Sequence, residues 1–374
     1  MIFLSSSPSY SATWLVGPQH ALKLPSQAAK VARDGDTVII AAGDYRDDVA
    51  SWPQNHLSLR GSDGLAHLEV HGQAAEAKAI WVIKGNDILV ENMEFSGATV
   101  PDRNGAGIRF EGTNLTIRNC HFHHNQMGIL TGTNPLSQIT IEGSEFNENT
   151  VDYRRHHSLG HNIYIGKIHR FTLLGSYVHD AQTGHNVKSR AKENYLLYNR
   201  IGDETKASSY LVDFPEGGQA FVIGNQLRQS QDSENSSMLS FAAEHNQNST
   251  QHSLYIVNNT FVNDRSNGIF VNNHSASTVR LINNLLIGEN SRLEGPAEQQ
   301  HNQSKTNEFF RNPVEYNYQL TANSTAINQG INPGTANNGF SLLPQYEYNH
   351  PLKLKPRVIQ GTIDIGAYEL KDAF

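Results

Sequence analysis

Cys120 is the only cysteine, so no intramolecular disulfide can form and thiols say nothing about the redox compartment. Runs of lysine and arginine are missing and the formal charge is −7, which excludes the electrostatic footprint of a nucleic-acid partner. No apolar stretch is long enough to span a membrane. The apolar start Met1-Ile-Phe-Leu4 is too short for a signal peptide and lacks a basic flank. The expected compartment is nevertheless periplasmic or extracellular, with the leader outside this sequence, and the cytoplasm stays open. Charged residues are scarce at 17%, and long helix-forming runs are few. Asparagine, glycine, serine and threonine are abundant, as in a chain with many turns.

The abundant residues are ordered by a repeat. Eight segments align residue for residue, among them Ile88-Leu-Val-Glu-Asn-Met-Glu-Phe95, Leu115-Thr-Ile-Arg-Asn-Cys-His-Phe122 and Leu254-Tyr-Ile-Val-Asn-Asn-Thr-Phe261. They start at residues 88, 115, 139, 171, 194, 220, 254 and 279, so the spacings are 27, 24, 32, 23, 26, 34 and 25. The third position is always aliphatic and the eighth always large and apolar, as in strands with one buried face. Asparagine or glycine stands between them in most segments, tolerating the left-handed backbone of a bend. Asn199, Asn225, Asn259 and Asn284 are expected to stack as a structural ladder. A weaker early coil starts at Leu57, and a second strand precedes each segment, as in Val187-Lys-Ser189 and Val212-Asp-Phe214.

Short strands at this period predict an all-β chain folded as a right-handed parallel β-helix, a solenoid forming one domain over 1–374. Residues 26–45 supply a helical N-terminal cap and a first strand, because an open solenoid core needs covering. Coils fill 46–289, and a loop-rich wrap and cap fills 290–374.

Stacking turns sequence spacing into geometry, with equivalent residues of neighbouring coils about 4.8 Å apart. The middle residue of the second strand should face outward, giving the column Arg109, Leu130, Tyr164, Lys188, Asp213, Ser240 and Phe270. Gly160-His-Asn-Ile-Tyr164 and Gly184-His-Asn-Val-Lys188 repeat one phrase 24 residues apart. His161 should therefore lie against His185 and Asn162 against Asn186. The histidines either satisfy turn backbone groups or take part in chemistry. Lys188 and Arg190 either face solvent, paired with Asp213, or form a site. Tyr210, Glu216 and Glu244 fall near the same column.

The ends of the chain resemble pectate-lyase-like β-helices: Asp34-Gly-Asp-Thr-Val-Ile-Ile-Ala-Ala-Gly-Asp-Tyr45 resembles their opening and Gly361-Thr-Ile-Asp-Ile-Gly-Ala-Tyr-Glu369 their closing segment. Gly184-His-Asn-Val-Lys-Ser-Arg190 and the Asn-rich turn after it resemble the alginate lyase and chondroitinase B family of polysaccharide lyases. The resemblance implies that Lys188 is a catalytic base. It does not carry over that family's arginine, since Tyr210-Leu-Val-Asp-Phe-Pro215 has none. Ala181, Gln182 and Thr183 stand where its calcium-binding acidic residues fall, so calcium remains open.

Three functions fit such a chain. A lyase acting on an acidic, uronic-acid polysaccharide by β-elimination needs a base, a cation beside the C6 carboxylate and an acid. Lys188 supplies the first, Arg190 or Arg109 the second, and Tyr164, His161 or His185 the third. Asn162, Asn186, Asp213, Tyr210, Glu216 and Glu244 would bind substrate, and a C5-epimerase would use nearly the same set. A glycoside hydrolase would need two carboxyl groups, from Asp213 with Glu216 or Glu244. A carbohydrate-binding solenoid would need aromatic platforms such as Tyr164, Phe270 and Tyr210. The expectation is a lyase, acting as a monomer on an acidic polysaccharide or oligosaccharide.

Overall fold

A computed structural model describes residues 11–151, 159–244 and 252–370. Each coil lays down three short strands, as in Ala106–Phe110, Leu115–Arg118 and His121–His123, before the next coil opens with Met127–Thr131. Strands of successive coils pair in parallel, building three faces. The first is a ten-stranded sheet that ends with Arg292–Glu294. The second and third are joined into one 21-stranded sheet by Thr37–Arg46 and Ser58–Glu69, which run through both.

The bend between the second and third faces uses a single left-handed residue per coil. Asn92, Asn119, Gly143, Gly175, Tyr198, Gly224, Asn258 and Asn283 hold φ between 49 and 66°. Asparagine and glycine adopt this region at little cost, which explains their recurrence at the fifth repeat position. Tyr198 is the exception, and its hydroxyl accepts a hydrogen bond from the Gln345 N–H at 2.9 Å. The next residue of each coil forms the expected ladder. Asn199, Asn225, Asn259 and Asn284 are fully buried, and each carboxamide Nδ2 donates to the following Oδ1 at 2.9–3.0 Å, ending on Asn302. Buried amides unpaired in this way would each cost on the order of 1–3 kcal/mol, so the ladder exhausts its own hydrogen-bonding capacity.

Inside, the aligned apolar positions meet. Phe95, Phe122 and Phe146 stack with centroids 5.0 and 4.6 Å apart and planes within 11°. The N-terminal end is covered by helix Pro25–Val31, whose Ala28 is buried in the common core.

The coils extend further than the repeat implied. Arg292–Glu294, with one register shift, and Ala297–Gln300 and Gln303–Lys305 pair in parallel with the coil before them, so the stack ends at 305 and not at 289. This last coil lies at the open end and is largely exposed; Glu298, Gln299 and Gln300 give it no aliphatic repeat to recognise. The chain then wraps back over the second face. Phe340 packs on Tyr195 and Phe221, and the Tyr255 hydroxyl accepts from the Asn337 N–H. Among the described residues no helix is long and apolar enough to cross a membrane.

Candidate active site on the first face

Strand register on the first face sets Arg109 beside Leu130, Leu130 beside Tyr164, Tyr164 beside Lys188, and Lys188 beside Asp213. Val187 and Ser189 point into the core, so alternation turns Lys188 and then Arg190 outward. The turns that follow the next two strands bring Glu216 and Glu244 to the same end of the face, joined by the Glu244 N–H donating to Pro215 O.

Lys188 and Arg190 organise this cluster. Lys188 Nζ lies 3.4 Å from Asp213 Oδ2, 3.6 Å from Glu244 Oε1 and 5.8 Å from the centre of the Tyr164 ring. Arg190 donates through Nε to the Tyr164 hydroxyl (3.2 Å), through Nη1 to Glu216 (2.8 Å) and through Nη2 to Glu244 (2.6 Å). Lys167, which the sequence reading missed, reaches Glu216 at 3.1 Å. Its only signal was its place three residues after Tyr164. Lys188 and Arg190 are largely enclosed, with side-chain exposures of 12% and 16%, while Lys167 and Glu244 are about half exposed.

The carboxyl groups differ. Burial raises Asp213 above the ordinary carboxylate range, against the pull of Lys188. Glu244 is lowered despite its partial burial, because Arg190 and Lys188 favour its anion. Arg190 is raised, burial being outweighed by Glu244 and Tyr164.

The two histidines are placed differently from an acid pair. His161 and His185 are buried with rings 4.7 Å apart, as their spacing implied. His161 Nδ1 accepts from the His185 N–H (3.0 Å), and His185 Nδ1 accepts from the Tyr210 N–H (3.3 Å). Burial, with the charges of His185, Lys188 and Arg190, pushes His161 well down; burial and Lys188 push His185 down to about 3. Both rings are therefore neutral acceptors that tie one coil to the next, not imidazolium acids. Tyr210 is half-buried, its ring 5.0 Å from that of His185.

Asn162 and Asn186 do not reach the groove. Both are fully buried in a second ladder, Asn125–Asn149–Asn162–Asn186–Asp203, with Asn162 Nδ2 donating to Asn186 Oδ1 at 2.8 Å. The position two residues before the outward column sits at the corner entering the strand, where alternation fails and the side chain turns inward. Phe270 obeys the same rule. Ser240 pairs with Asn272, so Asn272 takes the outward place, and Phe270 is buried against Phe261. Gly184 starts the repeated phrase because the coils touch there: a Cβ would lie 1.4 Å from Gly160 O.

Arg109 stands two coils from Tyr164, about 10 Å along the column. Its buried Nε makes no hydrogen bond among the described residues and lies 3.5 Å from Glu111 Oε1. Calcium does not fit beside Lys188, since Asp213, Glu216 and Glu244 are each engaged by Lys188 or Arg190. Asp180, just upstream, accepts backbone N–H groups from Glu204, Thr205 and Lys206. A carboxylate met by donors in that way is poorly placed to take a cation.

The family described as "Right handed beta helix region" matches residues 55–194. Among solved structures, pectate lyase Pel9A is 14% identical with a TM-score of 0.67, covering 97% of this chain and 97% of its own. The Geobacillus virus E2 ORF18 protein is 13% identical with a TM-score of 0.47, covering 75% of this chain and 56% of its own. A mutant of the PL6 family alginate lyase AlyGC is 13% identical with a TM-score of 0.36, covering 96% and 57%. No curated protein sequence matches the chain. The chain is a right-handed parallel β-helix, a fold that it shares with pectate lyase Pel9A.

Proposed function

We propose that the first face is the active site of a polysaccharide lyase that cleaves a uronic-acid polymer by β-elimination. The observation that carries this reading is the convergence of Lys188, Arg190 and Tyr164 on one outward face of a rigid stack. Lys188, as the base of the step, takes the C5 proton onto Nζ. The electrons of that C–H bond form the C4–C5 double bond, and the C4–O bond breaks. Tyr164 accepts from Arg190 with its oxygen, which leaves its O–H to protonate the departing glycosidic oxygen. Arg190 offers the cation for the C6 carboxylate, with half-exposed Glu244 as the partner the substrate displaces. Arg109, partly exposed further along the same column, receives the carboxylate of a neighbouring sugar.

The test is incubation of the purified protein with a panel of acidic polysaccharides while following ultraviolet absorbance of the unsaturated product. Absence of that absorbance on every uronic-acid polymer would sink the reading. One observation favours a second: the environments of Asp213 and Glu244 push their proton affinities apart, as in a hydrolase acid and base. New reducing ends without an ultraviolet chromophore would select the hydrolase.

A further inference from the structure

On the outer surface of the third face, away from the Lys188 strands, successive coils place His67 beside Glu94 and Glu94 beside His121, with His123 in the next outward column. One ligand atom from each of His67, Glu94 and His123 lies within 4.8 Å of the other two. The three side chains are about four-fifths enclosed, with exposures of 19%, 22% and 18%. We propose that His67, Glu94 and His123 form a binding site for a divalent transition metal of the zinc class.

The donor set is the first argument. Two imidazoles and one carboxylate suit zinc, and three protein ligands leave a fourth position for water. Ligands about 2.0–2.1 Å from a tetrahedral zinc are about 3.3 Å apart, so donors within 4.8 Å of one another close around an ion by about 1.5 Å at most.

The surroundings of the ligands are the second. His67 Nε2 is hydrogen-bonded to Ser96 Oγ at 2.8 Å, a partner that a metal would displace, and its Nδ1 lies 3.3 Å from Asp44 Oδ1. A carboxylate behind a ligating imidazole holds its tautomer and orientation. His123 Nδ1 lies 2.7 Å from His124 Nδ1, so a single proton is shared between those two nitrogens. With that proton on His124, His123 Nε2–H donates to Glu94 Oε1 at 2.9 Å. With it on His123, the Nε2 lone pair faces the carboxylate, an arrangement that a cation between them makes favourable. Metal binding therefore selects the second tautomer, and it clamps three successive coils near the capped end.

The experiment is calorimetric titration of the tag-free, chelator-treated protein with Zn2+, with Co2+ as a visible-absorbance probe. One equivalent should bind and raise the melting temperature. His67→Ala and His123→Ala should each abolish that equivalent, and Asp44→Asn should weaken it by about tenfold. Glu94→Gln, which keeps shape and removes charge, should remove the Co2+ absorbance with urea unfolding otherwise intact. Absence of saturable Zn2+ binding, or one equivalent surviving in the His67→Ala/His123→Ala double variant, would overturn the assignment.

Discussion

Two columns of polar side chains climb the same coils a few ångströms apart and have opposite fates. Asn149, Asn162 and Asn186 run up the inside of a corner, each carboxamide donating to the next, and nothing of them reaches solvent. Tyr164, Lys188 and Asp213 run up the outside beside Arg190, and Glu216 and Glu244, the partners of Arg190, sit on turns, within reach of exchange for a ligand. The same device, stacking in register, makes both. A polar column is structural when it consumes its own donors and acceptors, and available for chemistry when it borrows partners from loops.

The sharpest way to break this contrast is Lys188→Ala. Loss of a general base should lower the lyase rate by about 10²–10⁴-fold while leaving the urea midpoint near that of the parent, read from product absorbance and unfolding curves. Full retained activity would move Lys188 to the structural column. Asn186→Ala should do the reverse. It removes the acceptor of one Asn162 amide hydrogen and one of the donors to Asp203 and Gly202, costing about 1–3 kcal/mol of stability, with activity per folded molecule kept.

His185 tests the border between the two. Its folded affinity for protons, pushed down to about 3, is below the ordinary imidazole value of about 6.5. Between those values the unfolded chain takes up a proton that the fold refuses. Stability should therefore fall as pH drops below about 6.5, by about 1.4 kcal/mol per pH unit for each such ring, and this loss should level off near 3. His185→Gln should flatten that slope in urea unfolding measured at pH 7.5 and 4.5; an unchanged slope would mean that the ring is protonated in the fold. The smallest effect is expected from Glu216→Gln, which removes one partner each from Arg190 and Lys167. A partly exposed pair of this kind should change stability by at most about 1 kcal/mol, and a larger loss would place Glu216 in the framework.

Much of the architecture was legible because a solenoid writes its period into the chain. Val90, Ile117 and Ile141 recur at one position, and their strands pair in the predicted register. Tyr164, Lys188 and Asp213 were legible as neighbours for the same reason. Asn162, Asn186 and Phe270 were misplaced because period-two alternation holds along a strand and fails at the corner leading into it. The final coil was missed because its polar residues at the open end carry no buried repeat. The cluster at His67 was invisible in the strand pattern, since its residues alternate outward like ordinary surface positions.

The sequence by itself determined the stack: aliphatic residues at fixed intervals must be buried together, and asparagine or glycine must take the left-handed bends, whatever the coils do at their surface. Only the tertiary structure decided which polar residues serve the stack and which are free to act. That choice depends on where each side chain turns at a corner and on which loop carboxylates come back to meet it, contacts between residues far apart in the chain that no local pattern encodes.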